Sequence, residues 1–165
     1  MGTKRVGLAR TEALLENLKR EIVLGVGSSL AGGRKKIEAL TNTSALTLVL
    51  TEAAYPSGTA FACDFSTNGQ AVDIALPAAT AGLSYTFLAQ ATNGTGASTV
   101  TLSGPSAIVQ GVLVCDDATK DAAGTNIVFD HSKFIAGTMV EFICDGTKWN
   151  VRATCLCDQA EVTVS

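Results

Sequence analysis

The sequence predicts a mainly β protein, a jelly-roll-like sandwich or barrel preceded by an N-terminal basic arm and one amphipathic helix. From Ser44 onward, short segments alternate large apolar with small polar residues, as strands with one buried face do. Gly, Pro, Asn and Asp separate these segments at short intervals, which indicates about nine or ten strands. Before Ser44, leucines recur instead at helical spacing.

The composition favours a protein that assembles. The chain has 165 residues, of which 47% are apolar and 16% are charged, against roughly 25% charged in soluble domains. Such a weakly charged surface favours a homo-oligomer or a component of a larger assembly. The alternative is a monomeric β domain with a Thr, Ser and Asn surface. The length predicts one domain with an appendage.

Residues 1–40 are predicted to form the arm, the helix and a flexible connection, and residues 41–165 the β body. After the arm Thr3–Arg10, Thr11 is a suitable N-cap, and Gly25 suits the position after the last turn, so the helix should span Thr11–Leu24. One apolar face is expected to pack against the β body, a sister subunit or a partner; it consists of Leu14, Leu15, Leu18 and Ile22.

The charge is divided along the chain. Residues 1–36 hold eight basic and three acidic side chains, a formal charge of +5, whereas the whole chain carries −3. This asymmetry favours an arm that docks on an acidic partner. Nucleic acid is not favoured, because the arm has no aromatic residue for base stacking. The docking candidates are Lys4, Arg5, Arg10, Arg34, Lys35 and Lys36, although the run Arg34–Lys36 also fits a solvated face.

The β body is predicted strand by strand. Pro77 should end one strand, because proline has no backbone N–H to donate, and Gly82 should bend the chain with a positive φ. The predicted strands are Leu46–Thr51, Ala60–Phe65, Val72–Leu76, Leu83–Phe87, Ser98–Leu102, Ile108–Cys115, Ile127–Phe129, Met139–Cys144, Lys148–Thr154 and Glu161–Val164. The large residues expected to anchor the core or a subunit contact are Leu83, Tyr85, Phe87, Phe142 and Trp149.

Reactive chemistry is weakly represented in the sequence, and we expect no enzyme, no cofactor and no metal. The single histidine, His131, lies in a predicted turn, and adjacent residues cannot form a triad with it because neighbouring side chains diverge. The run Asp116–Asp121 offers clustered carboxylates but interposes Lys120 and lacks EF-hand spacing. Five cysteines without a secretory leader indicate reduced thiols, and no apolar run is long enough to cross a membrane.

Two β motifs resemble a pattern found in structural proteins of tailed-bacteriophage virions. They are Leu76–Phe87 and the pair Gly137–Phe142 with Asp145–Val151, and the opening Thr3–Arg10 with its helix is similar to the start of such proteins. The resemblance implies a capsid decoration (cement) protein on the exterior of the virion, made in the host cytoplasm. Its implied partners are the major capsid protein and two further copies of itself. The alternative is a receptor-binding tail fibre or appendage domain.

Overall fold

The computed structural model describes residues 36–42, 44–66, 70–94, 99–104 and 109–165, which all belong to the unit Lys36–Ser165. The predicted arm and the predicted helix Thr11–Leu24 therefore lie outside the described residues. The described unit is mainly β, and its one helical element is a single 3₁₀ turn at Gln159–Glu161. Its first strand begins at Ile37, within the segment predicted as a flexible connection.

The described residues form twelve strands. Ten of them overlap the predicted segments, and Met139–Cys144 has the predicted bounds. Two strands, the first and the eighth, lie outside every predicted segment. In chain order the strands are β1 Ile37–Thr41, β2 Leu46–Val49, β3 Thr59–Asp64, β4 Val72–Ala75, β5 Ser84–Ala91, β6 Val100–Ser103, β7 Val109–Val114, β8 Thr119–Gly124, β9 Asn126–Phe129, β10 Met139–Cys144, β11 Trp149–Thr154 and β12 Val162–Val164.

The strands form two mixed sheets. The seven-stranded sheet has the order β1-β3-β5-β10-β11-β7-β8, and the five-stranded sheet has the order β12-β9-β6-β4-β2. Among the described strand pairs, five are parallel and five are antiparallel. The jelly-roll arrangement is not confirmed, because that fold is built from antiparallel strands in two Greek keys.

The first six strands alternate between the two sheets. Strands β1, β3 and β5 are parallel neighbours in one sheet, and β2, β4 and β6 are parallel neighbours in the other. Each step from the five-stranded to the seven-stranded sheet is therefore an arch, and successive arches stack side by side. The repeated arch was not predicted, because its period is obscured by loops of unequal length.

Three of the connections that lead from the five-stranded to the seven-stranded sheet turn at a glycine. Gly58, Gly82 and Gly137 precede β3, β5 and β10, with φ values of 86°, 86° and 98°. Each glycine N–H donates to a carbonyl of the neighbouring strand or its extension, at 2.8 Å to Ser84, 3.0 Å to Cys144 and 2.8 Å to Ala89. A positive φ orients the glycine N–H toward the adjacent strand. Glycine adopts a positive φ without a steric penalty because it has no Cβ. The bend predicted at Gly82 is confirmed.

One hydrophobic core joins the inner faces of both sheets. Phe87 is at its centre, with ring centroids 5.1 Å from Phe61 and 6.0 Å from Phe142. Offset and edge-to-face aromatic pairs at these distances add to the stability that burial provides. The five predicted anchors all lie in this core and are at most 4% exposed: Leu83, Tyr85, Phe87, Phe142 and Trp149.

Candidate interaction surfaces

The outer side of the seven-stranded sheet carries the largest exposed apolar residues of β7 and β10. Val112 and Val114 on β7 are 40% and 47% exposed, and Met139 and Ile143 on β10 are 38% and 51% exposed. Leu156, just after β11, is 45% exposed, and a Cβ added at the neighbouring Gly137 would contact its side chain. We call these five residues the apolar face.

The strand register fixes how the apolar face is arranged. Strand β11 lies between β10 and β7, so Met139 and Val114 are both opposite Thr154. The next outward row places Arg152 between Glu141 and Val112. Opposite charges side by side on paired strands attract one another. The surface therefore combines apolar side chains with a central pair of opposite charges.

One end of the apolar face is held by amide hydrogen bonds. Ile143 is opposite Asn150, and the Asn150 Oδ1 accepts a hydrogen bond of 2.9 Å from Gln110 Nε2. The Lys148 ammonium donates to Gln110 Oε1 at 3.2 Å. These two hydrogen bonds restrict the Gln110 side chain. A side chain that is already restricted loses less entropy when a partner binds.

The outer side of the five-stranded sheet differs in character. Its outward residues on β2 and β4 include Thr47, Val49 and Asp73, and those on β6 and β9 include Thr101 and Val128. These side chains are short and β-branched or acidic, and only Val49 is a strongly exposed large apolar residue, at 63%. Val49 therefore provides a matched control for substitutions on the apolar face.

An open cleft of about 410 Å³ lies where β2 and β4 end. Its walls are mainly apolar, with Leu50, Leu76, Pro77 and Leu83 among the lining residues, and Glu52 is its charged member. Sugar-binding sites commonly use aromatic platforms, and the residues that line this cleft include none.

The acidic run that suggested a calcium site has a structural role. The Asp117 carboxylate accepts a hydrogen bond of 2.6 Å from the Gln159 backbone N–H. The Lys120 ammonium donates to the carbonyls of Val162 at 2.5 Å and Gln159 at 3.3 Å. These bonds fasten β8 and its turn to the C-terminal segment. Within the described ranges, no three Asp, Glu, His or Cys side chains are placed to hold a metal ion.

The remaining predicted residues are distributed as follows. Lys36 is exposed, and its ammonium lies 2.6 Å from the Glu38 carboxylate. His131 is exposed in the turn after β9, next to Ser132, whose φ is 60°. The other docking candidates and the helix face lie outside the described residues: Lys4, Arg5, Arg10, Arg34, Lys35, Leu14, Leu15, Leu18 and Ile22.

The apolar face was not predicted, although the sequence contains a signal for it. The β10 segment Met139–Cys144 is apolar at every position except Glu141, and Val112–Val114 in β7 are consecutive apolar residues. A strand with one buried face alternates, so an apolar residue on its second face indicates a second contact. Alternation by itself predicts strands, and a strand that is apolar on both sides is recognised only where the alternation fails.

Comparisons with protein-family models, with characterised proteins and with solved structures find no match to this chain. In the part of the chain that the structure describes, no helix has the length and apolar character needed to span a bilayer.

Proposed function

We propose that this chain is a non-enzymatic structural protein of a tailed-bacteriophage virion, a decoration protein that binds the outer capsid surface and reinforces contacts between major capsid subunits. The observation that carries the proposal is the apolar face, where five large apolar residues are each more than a third exposed. Single exposed apolar residues are ordinary, but a group of them on one sheet surface is typical of a protein-binding site.

The polar residues of the apolar face support a protein partner. Glu141 and Arg152 lie at its centre, and Asn150 and Gln110 lie at one end. Protein interfaces of moderate size have this mixture of an apolar centre with hydrogen-bonding and charged groups. A capsid offers many copies of the same complementary surface, so modest affinity at each site accumulates over the shell.

The two-sheet body and the charge of the chain also fit this role. The two sheets share one hydrophobic core and present two outer faces to neighbouring subunits. The positive charge of residues 1–36 suits an acidic shell surface. A trimer around a capsid three-fold axis would repeat both contacts symmetrically. The motif resemblance to phage virion proteins supports the same assignment.

The direct test is a cryo-EM reconstruction of the phage particle whose genome encodes this chain. We expect density for the two-sheet body on the outside of the shell, in a copy number that is a multiple of three. The apolar face should contact a capsid subunit or a sister copy. Density confined to the tail or neck would overturn the assignment and favour an appendage domain. Particles that lack the chain altogether would overturn both.

A further inference from the structure

Three cysteines converge where β7 and β11 end. The two strands are parallel, with Val114 opposite Thr154, and the Cys155 N–H donates to the Val114 carbonyl at 2.8 Å. Cys115 and Cys155 are therefore lateral neighbours on the buried side of the sheet. Cys157 follows one turn later, where its carbonyl accepts a hydrogen bond of 3.1 Å from the Asp116 N–H.

Cys115 and Cys155 lie side by side on adjacent strands, and both side chains are buried, at 7% and 2% exposed. Each thiol influences the pKa of the other, so the two groups are close together. Adjacent strands lie about 4.8 Å apart, and disulfides bridge Cα separations of roughly 4.4–6.8 Å. Neighbouring positions on paired strands therefore fall within the range of Cα separations that a disulfide can bridge.

We propose that Cys115 and Cys155 form a reversible disulfide when the folded protein meets a small-molecule disulfide oxidant such as oxidised glutathione. Cys115 is the most exposed of the three thiols and reacts first. Its thiolate attacks one sulfur of oxidised glutathione, which forms a mixed disulfide and releases one glutathione thiolate. The Cys155 thiolate then attacks the Cys115 sulfur and releases the second glutathione.

The reaction balances without a further reactant. Two protein thiols and one glutathione disulfide become one protein disulfide and two glutathione thiols, and the protons lost by the protein are taken up by glutathione. Burial raises the pKa of both protein thiols, and the thiolate is the attacking species. Oxidation of the folded protein should therefore be slow near pH 7 and faster at higher pH.

The disulfide would cross-link the ends of β7 and β11 in the seven-stranded sheet. It would close a loop that contains β8, β9, β10 and β11, and would fix the start of the C-terminal segment against β7. Cross-linking a loop of this length restricts the unfolded chain, so Tm should rise by roughly 5–15 °C. The inference does not depend on the proposed function.

The experiment uses the full-length protein and oxidised glutathione at pH 8. We expect the count of free thiols in denaturant to fall from five to three, and tandem mass spectrometry to find Cys115 linked to Cys155. Tm should rise, and dithiothreitol should reverse each change. These measurements need no variant, so the proposal does not rest on whether a cysteine variant folds.

Two pairs of variants test which cysteines form the internal disulfide. Cys115→Ala and Cys155→Ala should each prevent the internal bond, whereas Cys63→Ala and Cys157→Ala should leave it intact. Cys63 is a suitable control because it is buried in β3, which is separated from β7 and β11 by other strands of the same sheet. Five thiols that persist after prolonged oxidation, a bond to Cys157 or to a second chain, or an unchanged Tm would each overturn the proposal.

Discussion

The indole nitrogen of Trp149 donates a hydrogen bond of 3.3 Å to the carbonyl oxygen of Pro77. Trp149 begins β11 in the seven-stranded sheet, and Pro77 follows β4 in the five-stranded sheet, so this bond joins the two layers. The Trp149 ring also packs against Tyr85, with ring centroids 5.9 Å apart. The two motifs that the sequence singled out therefore meet at this point of the core.

Substitution of Trp149 tests how much the connection between the sheets contributes. We expect Trp149→Phe to lower the free energy of unfolding by about 1–3 kcal/mol, because the hydrogen bond is lost and part of the indole volume is left empty. Urea denaturation followed by circular dichroism measures the change. Tyr85→Phe is the control, since it removes only a hydroxyl that donates to the Tyr55 carbonyl at 3.0 Å. A Trp149→Phe protein as stable as the wild type would contradict the interpretation.

Two glycines with positive φ are predicted to differ in their tolerance of alanine. Gly82 has open space around its missing Cβ, whereas a Cβ at Gly111 would lie 2.0 Å from the Val151 carbonyl oxygen. Gly82→Ala should cost about 1–2 kcal/mol through backbone strain alone. Gly111→Ala should cost about 4 kcal/mol or more, because β7 and β11 must separate. Thermal and urea unfolding measure the stability of both variants. Equal losses of unfolding free energy would show that the close approach of β11 to Gly111 is unimportant.

The β10–β11 hairpin should make stability depend on acidic pH. Backbone N–H groups of Lys148 and Thr147 bind the Asp145 carboxylate at 2.7 Å and 2.8 Å and lower its pKa. A carboxyl with a lowered folded-state pKa stabilises the fold above its unfolded pKa of about 3.9, and this contribution is lost as the pH falls through the folded value.

Asp145→Asn should therefore be less stable than the wild type at pH 7, and the difference should shrink as the pH falls below about 4. Urea midpoints measured from pH 7 to pH 2 test this. The exposed Asp121→Asn on β8 is the control and should show a smaller difference at pH 7. A difference for Asp145→Asn that stays constant down to pH 2 would exclude the charge as its cause.

The proposed capsid contact predicts that lysine substitutions weaken capsid binding when they lie on the outer side of the seven-stranded sheet, but not when they lie on the five-stranded sheet. Val112→Lys and Ile143→Lys should each weaken binding to capsids by at least about tenfold, since a buried ammonium without a partner costs more than 1.4 kcal/mol. Unfolding free energies should change by no more than about 0.5 kcal/mol, because both residues are exposed. Co-sedimentation with shells that lack the chain measures binding.

Val49→Lys supplies the matched control on the five-stranded sheet. Val49 is 63% exposed, so its substitution adds the same charge without touching the apolar face. It should bind shells as the wild type does. If Val49→Lys weakened binding while Val112→Lys did not, the contact would lie on the other sheet.

The positions of most strands could be predicted from the sequence. Alternation placed β10 at its observed bounds, and β4 ends just before the predicted proline stop at Pro77. Strands β1 and β8 were missed because Ile37–Thr41 and Thr119–Gly124 show neither alternation of large apolar residues nor aromatic residues. They form because β3 and β7 offer them hydrogen-bonding partners, and strand formation depends on such context more than on propensity.

By itself, the sequence determined that the chain is rich in strands, that its turns fall at particular glycines and prolines, and which large side chains are buried. These properties follow from short-range patterns of polarity and from backbone geometry. The tertiary structure alone decided that β1, β3 and β5 run parallel and that β11 lies between β10 and β7. It also decided that Cys115 meets Cys155 and that Val112 and Ile143 share an exposed surface. Strand order determines all of these relationships, and strand order depends on contacts between residues far apart in the chain, which no local pattern encodes.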